Sequence, residues 1–242
     1  MFKRNLMKRL SICLLTLIWL APNLAHAEDA GEYFRLALKS STANKKIEYL
    51  SKALELDPNL ASAYEKRGML YYFQEKYDHV IEDFENYTRL APDDAEGYRM
   101  LGMGYLYNGS YEAAIATFTH ALMVDPSLIS ALCYRAEAYR RSGKNEEALR
   151  DSTKVIRLGK EARVVADAYI TRAKVFGKIG QKKQAVADIR ASLQIDPRTW
   201  FYRYVSGYAS LEEIRGAGTI AILVLAFVLI FKLSMKVPNK ED

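Results

Sequence analysis

The feature that most constrains this chain is a set of residues that recurs every 34 positions. Three kinds of side chain share the period: a proline, a small residue and a tyrosine. They stand at Pro58, Pro92 and Pro126, at Gly68, Gly102 and Ala136, and at Tyr71, Tyr105 and Tyr139. A fixed period of this length is typical of an array of similar units, because one such unit cannot bury its apolar face alone. The sequence therefore predicts units that stack on their neighbours.

Residues 95–128 show what one unit contains. Leu101 and Tyr105 are four residues apart and share one face of a predicted helix, with the small Gly102 beside them. Asn108-Gly109-Ser110 then predicts a turn. The second helix carries an apolar stripe at i, i+4 and i+7 and is closed by a proline; these residues are Ala114, Phe118, Ala121 and Pro126. Each unit is predicted to be a hairpin of two helices.

The 34-residue period and the order of small, aromatic and proline positions resemble the tetratricopeptide repeat. The resemblance implies an all-α solenoid of about five helical hairpins over residues 28–199. The repeats are expected at about 29–60, 61–94, 95–128, 129–162 and 166–199. The step from Ala136 to Ala173 is 37 residues, which indicates a three-residue insertion between the last two repeats. We expect this insertion within residues 159–163, as a looser joint.

In repeats of this family the first helices line a concave groove, and the resemblance assigns defined positions of each repeat to it. The eleven residues implied as partner-binding positions are Met69, Tyr72, Phe73, Arg99, Met103, Leu106, Tyr107, Arg140, Arg141, Lys174 and Lys178. One end of this groove is aromatic and rich in methionine, and the other end is basic. It would suit a peptide with apolar anchors at one end and acidic residues at the other. The alternative is that the aromatic side chains only pack between repeats.

Two segments outside the repeats predict export and membrane attachment. Residues 1–27 combine a basic start, an apolar run of about a dozen residues and Ala25-His26-Ala27, which is the pattern of a cleaved secretory signal peptide. Residues 216–235 approach the roughly 20 residues of a membrane-spanning helix, if Lys232 reaches the interface. The lysines of residues 236–242 then place this tail in the cytoplasm. An uncleaved anchor at the start and a buried core helix at the end are the alternatives.

The segment between the last repeat and the predicted span is rich in aromatic residues. Residues 200–215 predict a helix that covers the end of the solenoid, and their five aromatic side chains also suit a membrane interface. Charge is uneven along the exported region: residues 28–126 hold 10 basic and 17 acidic side chains, whereas residues 127–215 hold 18 and 10. The net charges are therefore −7 and +8. The basic half would lie nearer the membrane.

The sequence contains no pattern typical of catalysis. Of the histidines after residue 27, His79 stands among carboxylates, but one imidazole is a weak indication of a metal site, and His120 lacks such neighbours. Gly102-Met103-Gly104 has neither the preceding strand nor the third glycine of a dinucleotide loop. Cys133 is expected to be a small buried residue. We therefore expect no enzyme activity, no cofactor and no metal, and the charge distribution does not indicate nucleic acid binding.

The expected function is binding through shape. The sequence predicts a membrane-anchored scaffold or adaptor whose groove binds a protein or peptide partner on the exported side, with a bacterial inner membrane facing the periplasm as the preferred setting. The alternative is a structural or assembly subunit of an envelope, secretion or cytochrome-maturation complex. Such a subunit would act through its membrane span and its basic juxtamembrane half.

Overall fold

The computed structural model describes residues 29–196, which form ten α-helices joined by short turns. The helices are α1 Ala30–Lys39, α2 Ala43–Leu56, α3 Ala61–Phe73, α4 Tyr77–Leu90, α5 Ala95–Asn108, α6 Tyr111–Val124, α7 Ile129–Ser142, α8 Asn145–Leu158, α9 Ala162–Lys178 and α10 Lys182–Ile195. The prediction of an all-α array of helical hairpins is confirmed for this part of the chain.

The described helices belong to two compact units, one ending at Asp93 and the other beginning at Asp94. Unit 1 contains α1 to α4, packed as the hairpins α1–α2 and α3–α4, with α2 against α3. Unit 2 contains the hairpins α5–α6, α7–α8 and α9–α10, with α6 against α7 and α8 against α9. Within unit 2 the first helices of successive hairpins also meet, α5 with α7 and α7 with α9.

Small residues on the first helices let the two helices of a hairpin approach closely. A Cβ atom added at Gly102 would lie 2.6 Å from the ring of Phe118, and one added at Gly68 would lie 2.8 Å from the ring of Phe84. The corresponding positions of residues 129–162 hold Ala136 and Ser152, both fully buried. A larger residue on the first helix is thus accompanied by a smaller one on the second, which preserves close packing.

The turn inside most hairpins passes through the left-handed backbone region. Gly109, Gly143 and Gly180 follow the first helices of unit 2 with φ values of 92°, 86° and 82°. Glycine is suited to this position because it has no Cβ atom to clash with the backbone. In unit 1, Glu75 occupies the corresponding turn with a φ of 58°.

The three-residue insertion takes a form that the sequence did not predict. Helix α9 has 17 residues, whereas α5 and α7 have 14 each, so the insertion adds nearly one helical turn. The joint before α9 is tight: a Cβ atom added at Gly159 would lie 2.7 Å from both the carbonyl oxygen of Val155 and a methyl group of Val165. The prediction of a looser joint is therefore wrong, because the added residues continue a packed helix.

Several predicted segments lie outside the described residues. These are the signal peptide at 1–27, the capping helix at 200–215, the span at 216–235 and the cytoplasmic tail at 236–242. The last predicted repeat, 166–199, is described as far as Asp196. Between residues 29 and 196, none of the helices has both the length and the apolar character that crossing a membrane requires.

Candidate partner-binding surface

Three arginines on first helices form ion pairs with the second helices of their hairpins. Arg67, Arg135 and Arg172 occupy the same position of their repeats, and each forms a two-pronged ion pair with an aspartate 16 residues later. The partners are Asp83, Asp151 and Asp188, at N···O distances of 2.7 to 3.2 Å. Each aspartate is buried. Paired geometry of this kind satisfies charges that would otherwise be costly to bury.

The same arginines also reach back to the preceding repeat. The Nη1 group of each donates to a hydroxyl on the second helix of that repeat: Arg67 to Ser51 at 2.9 Å, Arg135 to Thr119 at 3.1 Å, and Arg172 to Thr153 at 3.1 Å. One guanidinium therefore connects three helices. We call this arrangement the arginine link, and it holds α3, α7 and α9, which are three of the four first helices that carry predicted binding residues.

The predicted binding residues of unit 1 form an aromatic edge on α3. Phe73 is 75% exposed and Met69 is 37% exposed. Tyr72 is half-buried and contacts Phe73 edge to face, with ring centroids 6.0 Å apart. Tyr72 also meets Tyr77 on α4 at 6.3 Å. These side chains offer apolar contact area but no strong charge.

In unit 2, two predicted binding residues belong to the core. Met103 is 4% exposed and Leu106 is fully buried. They lie on α5, which packs against both α6 and α7. Because neighbouring helices cover them, neither side chain lies on the surface, and their assignment to a partner-binding surface is corrected. Arg99 is largely buried too, with its side chain paired to Glu96 and its guanidinium above the ring of Tyr134.

The basic residues of α7 gather around one carboxylate. Glu137 accepts two hydrogen bonds from Arg140, both at 2.8 Å, and one from Arg141 at 2.9 Å. The hydroxyl of Thr171 on α9 also donates to it, at 3.4 Å. Burial raises the pKa of Glu137, but the pairing with Arg140 and Arg141 and the charge of Lys174 outweigh this and lower the pKa to about 2. Glu137 is therefore a fixed negative charge that holds both guanidinium groups in place.

The remaining predicted residues surround this cluster. The guanidinium of Arg141 lies 5.8 Å from the ring centre of Tyr107, which is 37% exposed. Lys174 is half-buried on α9, and Lys178 is exposed at the end of that helix. The Nζ atom of Lys178 lies 3.9 Å from the place of a Cβ atom at Gly143, beside the turn after α7. We call this set the basic surface; its members are Tyr107, Glu137, Arg140, Arg141, Lys174 and Lys178.

Glu137 holds a groove position that the family resemblance implies, the ninth of its repeat, but its ion pairing with Arg140 and Arg141 was not predicted. A sequence signal for it exists, because Glu137 stands three and four residues before Arg140 and Arg141, and these spacings place all three on one helix face. The arginine links were also missed, although Arg135 and Arg172 share one position of the repeat. In both features a basic side chain pairs with an acidic one of the same protein. The sequence-based prediction treated basic side chains only as contacts for a binding partner.

The other candidates for chemistry have structural surroundings. His79 and His120 are exposed and lie against the rings of Tyr71 and Tyr98, at centroid distances of 4.7 and 4.2 Å. Cys133 is 7% exposed, as predicted, and its Sγ atom lies 3.6 Å from the carbonyl oxygen of Val164. Among the residues that the structure describes, no group of three or more His, Cys, Asp or Glu side chains could hold a metal ion.

A stack of helical hairpins built on a 34-residue period defines the class of helical-repeat solenoids. Comparison with protein families then names the repeat. Residues 61–94, 95–128 and 166–199 match the family model described as tetratricopeptide repeat. These three segments therefore match the repeat that the sequence resembles, and the hairpins α1–α2 and α7–α8 lie outside the matched residues.

Solved structures with the same fold include three repeat proteins. The MamA protein is 22% identical, with a TM-score of 0.63, covering 73% of this chain and 97% of that one. YrrB, described as a TPR protein with an unusual peptide-binding site, is 21% identical, with a TM-score of 0.60 and coverage of 74% and 92%. A thermophilic TPR protein from Thermus thermophilus is 16% identical, with a TM-score of 0.56 and coverage of 73% and 97%. No curated protein sequence matches the chain. At these identities the likeness shows the fold alone.

Proposed function

We propose that the chain is a membrane-anchored scaffold that binds a protein or peptide partner through the basic surface of unit 2. The supporting observation is the arrangement around Glu137, where one carboxylate faces Arg140, Arg141 and Lys174. The solenoid fold agrees with such a role, because a row of first helices offers a long surface to an extended or helical peptide.

The charge balance of the basic surface favours an acidic partner. The basic surface as defined contains four cations, Arg140, Arg141, Lys174 and Lys178, and one carboxylate, that of Glu137, so the set carries an excess of positive charge. A partner carboxylate placed beside Arg141 would form a charge-assisted hydrogen bond. Since Glu137 already fixes the guanidinium, little side-chain entropy would be lost when the partner binds.

Tyr107 supplies the apolar part of the proposed site. Its ring is partly exposed and lies beside Arg141, so an aromatic or aliphatic side chain could pack on the ring while an acidic neighbour meets the guanidinium. Tyrosine and arginine are the residue types that most often dominate binding energy at interfaces. We infer that the partner segment carries an acidic residue next to an apolar one.

Selection of peptides from a random display library tests this proposal. The full chain in detergent would be immobilised, and we expect the selected peptides to combine Asp or Glu with an aromatic or aliphatic residue. Arg141→Ala should weaken binding of a selected peptide at least about tenfold, because it removes an anchored cation at the centre of the site.

Arg150→Ala is the matched control, since Arg150 is also an exposed arginine but lies on α8, outside the basic surface. We expect it to bind the selected peptides within about twofold of the unmodified chain. Selected peptides without acidic residues, or equal losses in the two variants, would contradict the proposed site.

The proposed location is the exported side of a membrane, with residues 216–235 as the anchor and residues 1–27 as a cleaved export signal. The support is the composition of these two segments. Expression of the full chain with a C-terminal tag should give a protein that resists alkaline extraction from membranes and begins at residue 28. Release of the protein by alkali would contradict the proposed membrane anchor. A protein that still begins at Met1 would contradict the proposed cleavage of the signal peptide.

A further inference from the structure

A second row of basic residues lies on α8, on the turn that follows it and at the start of α9. Its members recur every three or four residues, and all five are exposed: Arg150, Lys154, Arg157, Lys160 and Arg163. We call this row the basic ridge. None of the five forms a salt bridge with another residue between 29 and 196, where the neighbouring cations Lys144 and Arg172 pair with Glu112 and Asp188.

The basic ridge faces away from the hairpin core. The opposite side of α8 carries Asp151, paired with Arg135, and the fully buried Ser152 and Val155. Arg150, Lys154 and Arg157 span seven residues, which is about 10 Å along a helix. The part of the ridge on α8 is therefore a row of solvated charges, and no residue of the ridge belongs to the basic surface.

An apolar region borders the ridge. Leu158, the last residue of α8, is 44% exposed. It lines an open cleft of about 630 Å³, whose other apolar side chains include Leu128, Ile129 and Val164 and whose charged ones are Lys160 of the ridge and the carboxylates Glu96, Asp125 and Glu161. One exposed apolar side chain, that of Leu158, therefore adjoins the ridge at this edge of unit 2. Leu158 therefore serves as a reporter position next to the ridge.

We propose that the basic ridge is a contact surface for anionic lipid headgroups; this inference rests on the proposed membrane anchor. Exposed cations in a row can be neutralised together by the phosphates of a membrane surface. The membrane is also within reach of unit 2. Residues 197–215 separate Asp196 from the uncharged segment, and such a stretch extends at most about 65 Å.

The experiment uses the full chain, incorporated into vesicles of phosphatidylcholine alone or with about one-third phosphatidylglycerol. A fluorophore is attached through Leu158→Cys in a background without Cys13 and Cys133, and its accessibility to acrylamide is measured. At about 50 mM NaCl we expect quenching to be at least about twofold weaker in the anionic vesicles. At about 500 mM NaCl the difference should disappear, because salt screens exposed charges.

Two double charge reversals of equal size distinguish an effect of the ridge from an effect of the net charge of the chain. Lys154→Glu/Arg157→Glu should abolish the protection by anionic lipid, whereas Lys45→Glu/Lys46→Glu on α2 should leave it unchanged. Equal quenching in the two kinds of vesicle, or equal loss of protection in the two variants, would overturn the inference.

Flotation of the same vesicles distinguishes this inference from the proposed anchor. If the chain floats with both kinds of vesicle but anionic lipid does not protect the fluorophore at Leu158→Cys from acrylamide, the proposed anchor is retained and the proposed lipid contact of the ridge is overturned. Flotation with anionic vesicles only, lost in Lys154→Glu/Arg157→Glu, supports the ridge and overturns the anchor. Flotation with neither lipid overturns both.

Discussion

At the turn between α3 and α4, Glu75 has a backbone conformation that glycine adopts at the same place in unit 2. Its φ is 58°, against 92° at Gly109. We predict that Glu75→Gly stabilises the protein by about 0.5–1 kcal/mol, because relief of left-handed strain exceeds the entropy that a glycine adds to the unfolded chain. Urea denaturation measures the change.

The reciprocal variant, Gly109→Glu, is the control for Glu75→Gly. No atom lies within 4 Å of the place of a Cβ atom at Gly109, so the substitution adds strain without a steric clash. It should destabilise the protein by about 1–2 kcal/mol. Equal changes of the same sign in both variants would contradict the strain argument.

The pKa of Glu137 makes part of the stability depend on pH. This pKa falls from its ordinary value of 4.5 to about 2 in the folded chain. Because the folded-state pKa is the lower one, the contribution is complete above about pH 4.5 and is lost as pH falls towards 2. The shift corresponds to about 3 kcal/mol. Glu137→Gln should lower stability at pH 7 and should lose less stability between pH 5 and pH 2.5 than the unmodified chain.

Urea denaturation at several pH values checks the prediction for Glu137. Glu146→Gln is the control, since Glu146 is exposed in the first turn of α8. It should keep the pH dependence of the unmodified chain. The same acid sensitivity in Glu137→Gln as in the unmodified chain would show that the ion pairs with Arg140 and Arg141 do not contribute to it.

At the scale of helices, the arginine link has an apolar alternative within this chain. The repeat 95–128 holds Leu101 and Thr117 where three other repeats hold arginine and aspartate; Leu101 is buried, and the hydroxyl of Thr117 donates to the carbonyl oxygen of Ala113 at 2.8 Å. A hairpin of this array can therefore pack without the ion pair. The first hairpin fills these positions in a third way, with Tyr33 and Tyr49, whose ring centroids lie 6.3 Å apart.

The pair Leu101 and Thr117 should also be able to replace the ion pair between α7 and α8. Arg135→Leu leaves Asp151 buried without its partner and should destabilise the protein by about 3–5 kcal/mol. The double variant Arg135→Leu/Asp151→Thr reproduces the pair found at Leu101 and Thr117, and should recover most of that loss. Chemical denaturation of both variants tests this. A double variant as unstable as the single one would show that the hairpin needs the ion pair.

The sequence predicted the helices well because helix-forming patterns are local. Gly102 and Phe118 are matched across one hairpin, and the proline period marks where hairpins end. It predicted the insertion before α9 poorly, since three residues can form either a loop or part of a helical turn. Packing decides between these outcomes: Val165 lies against Gly159 and leaves the joint little space.

For the whole molecule, stability is expected to depend on neighbouring repeats. Stability in solenoids is roughly a sum of repeat and nearest-neighbour terms. We predict that Arg135→Leu raises amide hydrogen exchange at least about tenfold in α6, α7 and α8, with little change in α1 to α4. Hydrogen exchange with mass spectrometry measures both regions at once. A uniform rise along the chain would indicate a single cooperative unit instead.

The candidate site was less predictable than the fold for a physical reason. Repeat register placed Arg140, Arg141 and Tyr107 on one surface, and the structure brings them together. Register alone could not show that Leu106 is covered by neighbouring helices, nor that Glu137 binds both arginines. Burial and side-chain pairing depend on how helices meet in three dimensions, which one repeat considered alone does not determine.

The arginine link also gives the array a direction. Each guanidinium takes its aspartate from its own hairpin and its hydroxyl from the hairpin before it, as Arg135 does with Asp151 and Thr119. A hairpin that carries the arginine therefore fits best behind one that offers Ser or Thr. Repeats of this chain are accordingly not interchangeable. A duplicated or transplanted hairpin would keep its own ion pair in any position of the array. Its arginine would complete its hydrogen bonds only if the preceding hairpin offers Ser or Thr.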